Sequence, residues 1–107
     1  MTLKDFWNSE KAEIMALAEE AVKVFKALSD PTRYEMIRLL YNEGGEISCS
    51  NCAEKFRLSA PALSHHYRIL QNAGLITARK EGSFVYYKLN KVYLEKFVPK
   101  FEQAHLS

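Results

Sequence analysis

Cysteine is scarce in this chain: 107 residues hold two, Cys49 and Cys52. One pair cannot build the disulfide framework of a small secreted module. With no export signal beside it, the pair fits a reducing cytoplasm. Long apolar runs are missing as well, and none approaches the roughly 20 residues that a membrane span requires. The opening stretch MTLKDFWNSEKAEIMALAEE is charged every few residues, so it does not read as a signal peptide. Repeats, low-complexity tracts and linkers are also lacking, which leaves one domain of the usual size of about 100–150 residues. A chain this long can bury a core without a metal or disulfide staple.

Charge of one sign is not in large excess either, since the net value is +2. Its layout is uneven. Residues 1–54 hold six Lys/Arg against ten Asp/Glu, a balance of −4, and residues 55–107 hold nine against three, a balance of +6. Such a split suits a chain with one face for a polyanion and another for a different purpose.

What is present is helical periodicity. Ile14, Leu17, Ala18, Ala21, Val22, Phe25 and Leu28 recur on one stripe. In SDPTR, Asp30 can cap a second helix and Pro31 fits its first position, where the missing N–H costs nothing. Gly44-Gly45 should stop that helix. Ser48 reads as the cap of a short third helix with Cys49, Cys52, Ala53 and Phe56 on its core stripe. Ser59 and Pro61 open a fourth, which Gly74 ends. Leu63, Tyr67 and Leu70 should face the core, leaving Ala60, Ser64, His65, Arg68 and Gln71 outward. The period then changes to two, and LITAR and FVYYKL around KEGS predict a β-hairpin with a basic rim of Arg79, Lys80 and Lys88. A last helix carries Leu94, Phe97, Val98, Phe101 and His105 on one side, and Pro99 should kink or break it.

The spacing Cys49-x2-Cys52-x12-His65 resembles the opening of a zinc finger. A second histidine should follow three to five residues later on the same helix face. Here His65 and His66 are adjacent and point about 100° apart. Metal is therefore not expected, and the cysteines read first as small hydrophobes in the core. Cys-x-x-Cys at a helix N-terminus also stabilises thiolates, which leaves a redox or effector role open for Cys49 and Cys52.

Helix, sharp turn, helix and basic hairpin compose a winged helix-turn-helix, with the helix-turn-helix at about 48–73 and the wing at about 75–89. Ala60, Pro61 and Ala62 keep the second helix slim where it would approach base edges in the major groove. Ser64, His65 and Arg68 can donate to bases or phosphates, and Arg79, Lys80 and Ser83 would lie along the backbone or in the minor groove.

FKALSDPTRYEMIRLL, LSAPALSHHYRILQNAGLI and RKEGSFVYYKL together resemble the ArsR/SmtB family of winged-helix repressors, over roughly Leu17 to Lys100. The resemblance implies a mainly α fold of about five helices with a two-stranded wing, residues 1–13 being an arm and 14–107 the DNA-binding domain. It implies a cytoplasmic homodimer that binds an inverted-repeat operator on double-stranded DNA and releases it when an effector arrives. The outer helices, through Ile14, Leu17, Leu94, Phe97 and Phe101, would form the dimer interface. Metal-sensing members carry thiolates where this chain has Ser48 and Ser50. Others bind zinc at positions occupied here by Lys91, Tyr93, Ala104 and Ser107. No cofactor is expected. The effector is left among a small molecule, an oxidant and a soft metal, the last two acting at Cys49 and Cys52. The rivals to this non-enzymatic reading are a thiol–disulfide oxidoreductase built on that pair and an interaction module that has lost its operator.

Overall fold

The structure is a computed structural model and describes residues 3–48 and 52–106, with side chains from Asn8 onward. Helix α1 spans Leu3–Leu28, α2 Pro31–Glu43, α3 Cys52–Phe56, α4 Ala60–Asn72, α5 Lys91–Phe97 and α6 Phe101–His105. Strands β1 (Ile47–Ser48), β2 (Ile76–Glu81) and β3 (Phe84–Leu89) complete the described fold. Within the segment 1–13, expected to be an arm, the chain is helical from Leu3.

Local signals set most boundaries. The Asp30 carboxylate accepts from the backbone N–H groups of Thr32 (2.9 Å) and Arg33 (3.1 Å), and Pro31 opens α2. Gly44, at φ +72°, closes α2 by donating to the Leu40 carbonyl at 3.2 Å. That left-handed backbone suits glycine, which has no Cβ to clash. The Ser59 hydroxyl accepts from Ala62 N–H at 3.3 Å and starts α4. At Gly74, φ +84°, an added Cβ would meet the Tyr93 ring at 3.0 Å, so both backbone and packing require glycine there.

Asp30 is pulled two ways. Burial works to raise its pKa. The Arg33 and Thr32 amides and the Arg33 charge outweigh burial and hold the carboxyl below its ordinary 3.8. A lowered folded-state value means the ionised cap stabilises the fold at pH above about 4 and loses that effect as pH falls further. Asp30→Ala should therefore cost about 1 kcal/mol at neutral pH. The gap from wild type, read by urea denaturation, should narrow below pH 4. A gap that stayed constant into acid would deny the carboxylate this role.

The sheet has three antiparallel strands in the order β1-β3-β2, one more than the wing alone supplies. Thr77 to Glu81 pair with Lys88 to Phe84, and Ile47 and Ser48 pair with Tyr87 and Tyr86. Ser48 is thus a strand residue, and α3 is described over Cys52–Phe56; residues 49–51, on which the expected cap at Ser48 depends, lie outside the described residues. The reason is non-local: β3 offers a free edge, and backbone groups there are better satisfied by β1 than by an uncapped turn.

The core gathers Val24 and Ala27 of α1, Met36, Ile37 and Leu40 of α2, Leu63, Tyr67 and Leu70 of α4, and Leu75, Ile76, Leu94 and Phe101. No polar or charged residue is buried among the described residues. Arg33 clamps three elements together. Its Nε donates to Ala27 O (2.7 Å), one Nη donates to Lys26 O (3.3 Å), and the other reaches His66 Nδ1 on α4 at 3.2 Å. Because a guanidinium can only donate, that Nδ1 accepts and the ring proton sits on Nε2.

The expected last helix is two helices, α5 and α6. Pro99 follows Val98, and Lys100 turns left-handed at φ +57° before α6 begins. The break lets α6 fold back, so Phe101 is 1 % exposed and His105 Nδ1 meets Tyr34 Oη at 2.7 Å. This corrects one expectation. Leu94 and Phe101 pack inside the chain's own core and cannot serve as surface for a second copy, while Phe97 is half-buried against Tyr93.

Candidate nucleic-acid interface

Helix α4 places its side chains in two sets. Leu63, Tyr67 and Leu70 turn inward, while Ala60, Pro61, Ser64, His65 and Arg68 are exposed. A bare N-terminal turn of small residues is what a helix needs in order to reach base edges in a groove about 12 Å wide. Lys80 and Ser83 are exposed on the wing, Lys80 opposite Val85 and Ser83 in the turn after Gly82.

One groove brings several of these together. Ala60, Leu63, Ser64 and Tyr67 of α4 face Ser83, Phe84, Val85 and Tyr87 of the wing across about 370 Å³, with Ser48 and Ala53 at its end. Its floor is a pair of tyrosines. The Tyr67 and Tyr87 rings stack at 3.9 Å and 9°, fastening α4 to the middle strand of the sheet. Burial pushes both phenols above the ordinary tyrosine range, and for Tyr67 the neighbouring Tyr87 adds to the effect. The pair is neutral at any physiological pH.

Arg79 is placed otherwise than the other candidates. Its guanidinium reaches Glu46 at 2.8 Å and Glu81 at 2.5 Å and lies 4.7 Å from the Tyr86 ring centroid. The Arg79 hydrogen bond holds Glu46 below the usual carboxylate range, and the two carboxylates raise Arg79 further. A cation already matched by two anions has less to offer a phosphate than the exposed Lys80. The sequence shows the charge of Arg79. Its partner Glu46, 33 residues away, comes near only through the pairing of β1 with β3.

The cysteines divide. Cys52 is buried, as a core residue should be, but it is disulfide-bonded and not a packed thiol. The Tyr67 hydroxyl donates to its Sγ at 3.3 Å. Cys49, the other cysteine of the sequence, lies outside the described residues. Among the described residues no cluster of His, Cys, Asp or Glu could hold a metal ion, and no helix is long and apolar enough to cross a membrane.

Tyr67, expected in the core, also lines the groove, and Phe84, expected in a strand, stands exposed at the wing tip. The alternation of Phe84, Tyr86 and Lys88 against Val85, Tyr87 and Leu89 is the signal in the sequence that separates the two faces.

Comparison with known proteins gives the surface a context. Residues 30–78 match the family described as bacterial regulatory protein, arsR family. The transcriptional repressor SdpR of Bacillus subtilis is 44 % identical over 72 residues, covering 67 % of this chain and 78 % of SdpR. The arsenical resistance operon repressor of Staphylococcus xylosus is 39 % identical over 77 residues, 72 % of either chain. Among solved structures, HlyU from Vibrio cholerae superposes with a TM-score of 0.70 at 26 % identity, over 84 % of this chain and 96 % of that one. None of these relatives supports an oxidoreductase. With its winged helix-turn-helix and its exposed recognition helix, the chain belongs to the ArsR family of DNA-binding transcriptional regulators.

Proposed function

We propose that the chain is a homodimeric cytoplasmic repressor that binds an inverted-repeat operator beside its own promoter and releases it on meeting an effector. The observation that carries this reading is a division of surfaces. The slim exposed start of α4 lies beside the wing, while α1 leaves Ile14, Met15, Leu17, Val22 and Phe25 about half exposed or more. The first surface suits DNA, and the second suits another copy of the chain. Two-fold symmetry then sets the recognition helices about 34 Å apart, one turn of the duplex. Ile14 and Leu17 retain the interface role in this reading, and α5 contributes the exposed Val92 near them in character.

Fluorescence anisotropy on duplex from upstream of the gene, against a scrambled duplex, tests the reading. A preference of about 10³-fold is expected of a specific regulator. Lys80→Ala should flatten the dependence of affinity on salt by about 0.9 per phosphate lost from each subunit, and Arg79→Ala by less. Equal binding to the two duplexes would defeat the operator reading. The effector arm of the experiment uses the cysteines. The Cys52 disulfide touches Tyr67 on the recognition helix, so reductant should change operator affinity in the wild type and leave Cys52→Ser unmoved. An identical response in both would return the effector to other chemistry.

A further inference from the structure

Seven large hydrophobic residues are exposed among those described, and six of them lie on α1 or α5. The seventh is Phe84, the first residue of β3, 54 % exposed at the tip of the wing. A single exposed apolar residue is ordinary on a protein surface. This one is not isolated. It forms one wall of the 370 Å³ groove whose opposite wall is the start of the recognition helix. None of the residues lining that groove carries a formal charge. Its polar groups are the hydroxyls of Ser48, Ser64, Ser83 and the two stacked tyrosines.

We propose that Phe84 is a DNA-contacting residue: its ring packs on a deoxyribose of the duplex while the Ser64 and Ser83 hydroxyls donate to the adjoining phosphate, so this stretch of backbone is held without a cation. The inference rests on the operator-binding reading above and adds to it the chemistry of the contact. The groove is continuous with the DNA-facing surface, because Ala60 and Ser64 belong to both. A sugar–phosphate unit has an apolar face and an anionic edge, and the groove answers each with an apolar wall and hydroxyl donors. Serine hydroxyls are regular phosphate partners. A small organic ligand fits less well. The groove opens directly onto the surface that the duplex occupies.

A neutral contact leaves a distinctive trace, because it releases no counterions and its loss does not alter the salt dependence. Phe84→Ala should weaken binding about tenfold at every salt concentration, the scale of one aromatic contact to nucleic acid. The slope of log affinity against log salt should match that of the wild type, while Lys80→Ala lowers the slope. Phe84→Leu should recover most of the loss, since it restores an apolar wall. Phe84 is exposed, so the variants should keep the wild-type melting temperature, which circular dichroism checks. Unchanged affinity in Phe84→Ala would overturn the proposal. So would a slope reduced as in Lys80→Ala, or a loss explained by a changed dimer in sedimentation. A backbone contact is read equally on the scrambled duplex. A wild type that binds both duplexes alike therefore removes the operator reading and still tests Phe84, whereas binding to neither overturns both.

Discussion

Phe25→Glu is expected to lower operator affinity by on the order of 10²- to 10³-fold while leaving the melting temperature of the subunit almost unchanged, since specificity over random sequence is itself of that size. The expectation follows from the proposed pairing of two copies through α1. Its 26 residues make a rod about 39 Å long, yet among its described side chains only Val24 and Ala27 near its end are fully buried. Ile14 at 62 % exposure, Phe25 at 52 % and Leu17 at 49 % lie along its apolar stripe and are left uncovered by the chain's own core. Apolar surface of that extent gains about 25 cal/mol per Å² when a partner covers it. A carboxylate within it would have to be dehydrated, a cost that a reversible interface cannot absorb. A monomer presents one recognition helix to the duplex, so the loss of pairing halves the contacts and removes their shared register. Sedimentation and anisotropy on the same sample give the answer. A dimer that survived Phe25→Glu would place the interface elsewhere.

Phe101→Ala should behave in the opposite way, destabilising the subunit itself by about 3–5 kcal/mol. The side chain is 1 % exposed, its ring 5.3 Å from that of Tyr41 and 4.7 Å from that of His105. Helix α6 has five residues, too few to hold helical structure without tertiary contacts. Removing the ring leaves a cavity and frees α6, and the Tyr34–His105 hydrogen bond should go with it. Against a total stability of about 5–15 kcal/mol, that is a large share. Urea denaturation monitored by far-ultraviolet circular dichroism should show a much lower midpoint. A normal midpoint with a lost dimer would instead put Phe101 at a subunit boundary.

These two variants separate what the sequence could and could not tell. Periodicity places Phe25 and Phe101 equally well on apolar stripes. It does not say whether the chain's own core or a second copy covers the stripe. Local chemistry was legible throughout: the caps at Asp30 and Ser59, the stop at Gly44 and the interruption at Pro99 each depend on neighbours within four residues. The pairing of Ile47 with Tyr87 joins positions 40 apart, and β1 has no strand pattern of its own to announce it. The neutralisation of Arg79 was hidden for the same reason, since only that pairing carries Glu46 to it. For the interface, the outward set on α4 could be read from spacing. The groove could not, because it exists only where α4 and the wing meet.

The stacked tyrosines have one more consequence. With Tyr67 on α4 flat against Tyr87 on β3, and β3 held on both edges by β1 and β2, the reading helix and the wing form one stiff probe. A loop-borne wing would have to be immobilised each time it met the duplex, at a cost in conformational entropy. Here that ordering is complete before the encounter, so more of the contact energy appears as affinity.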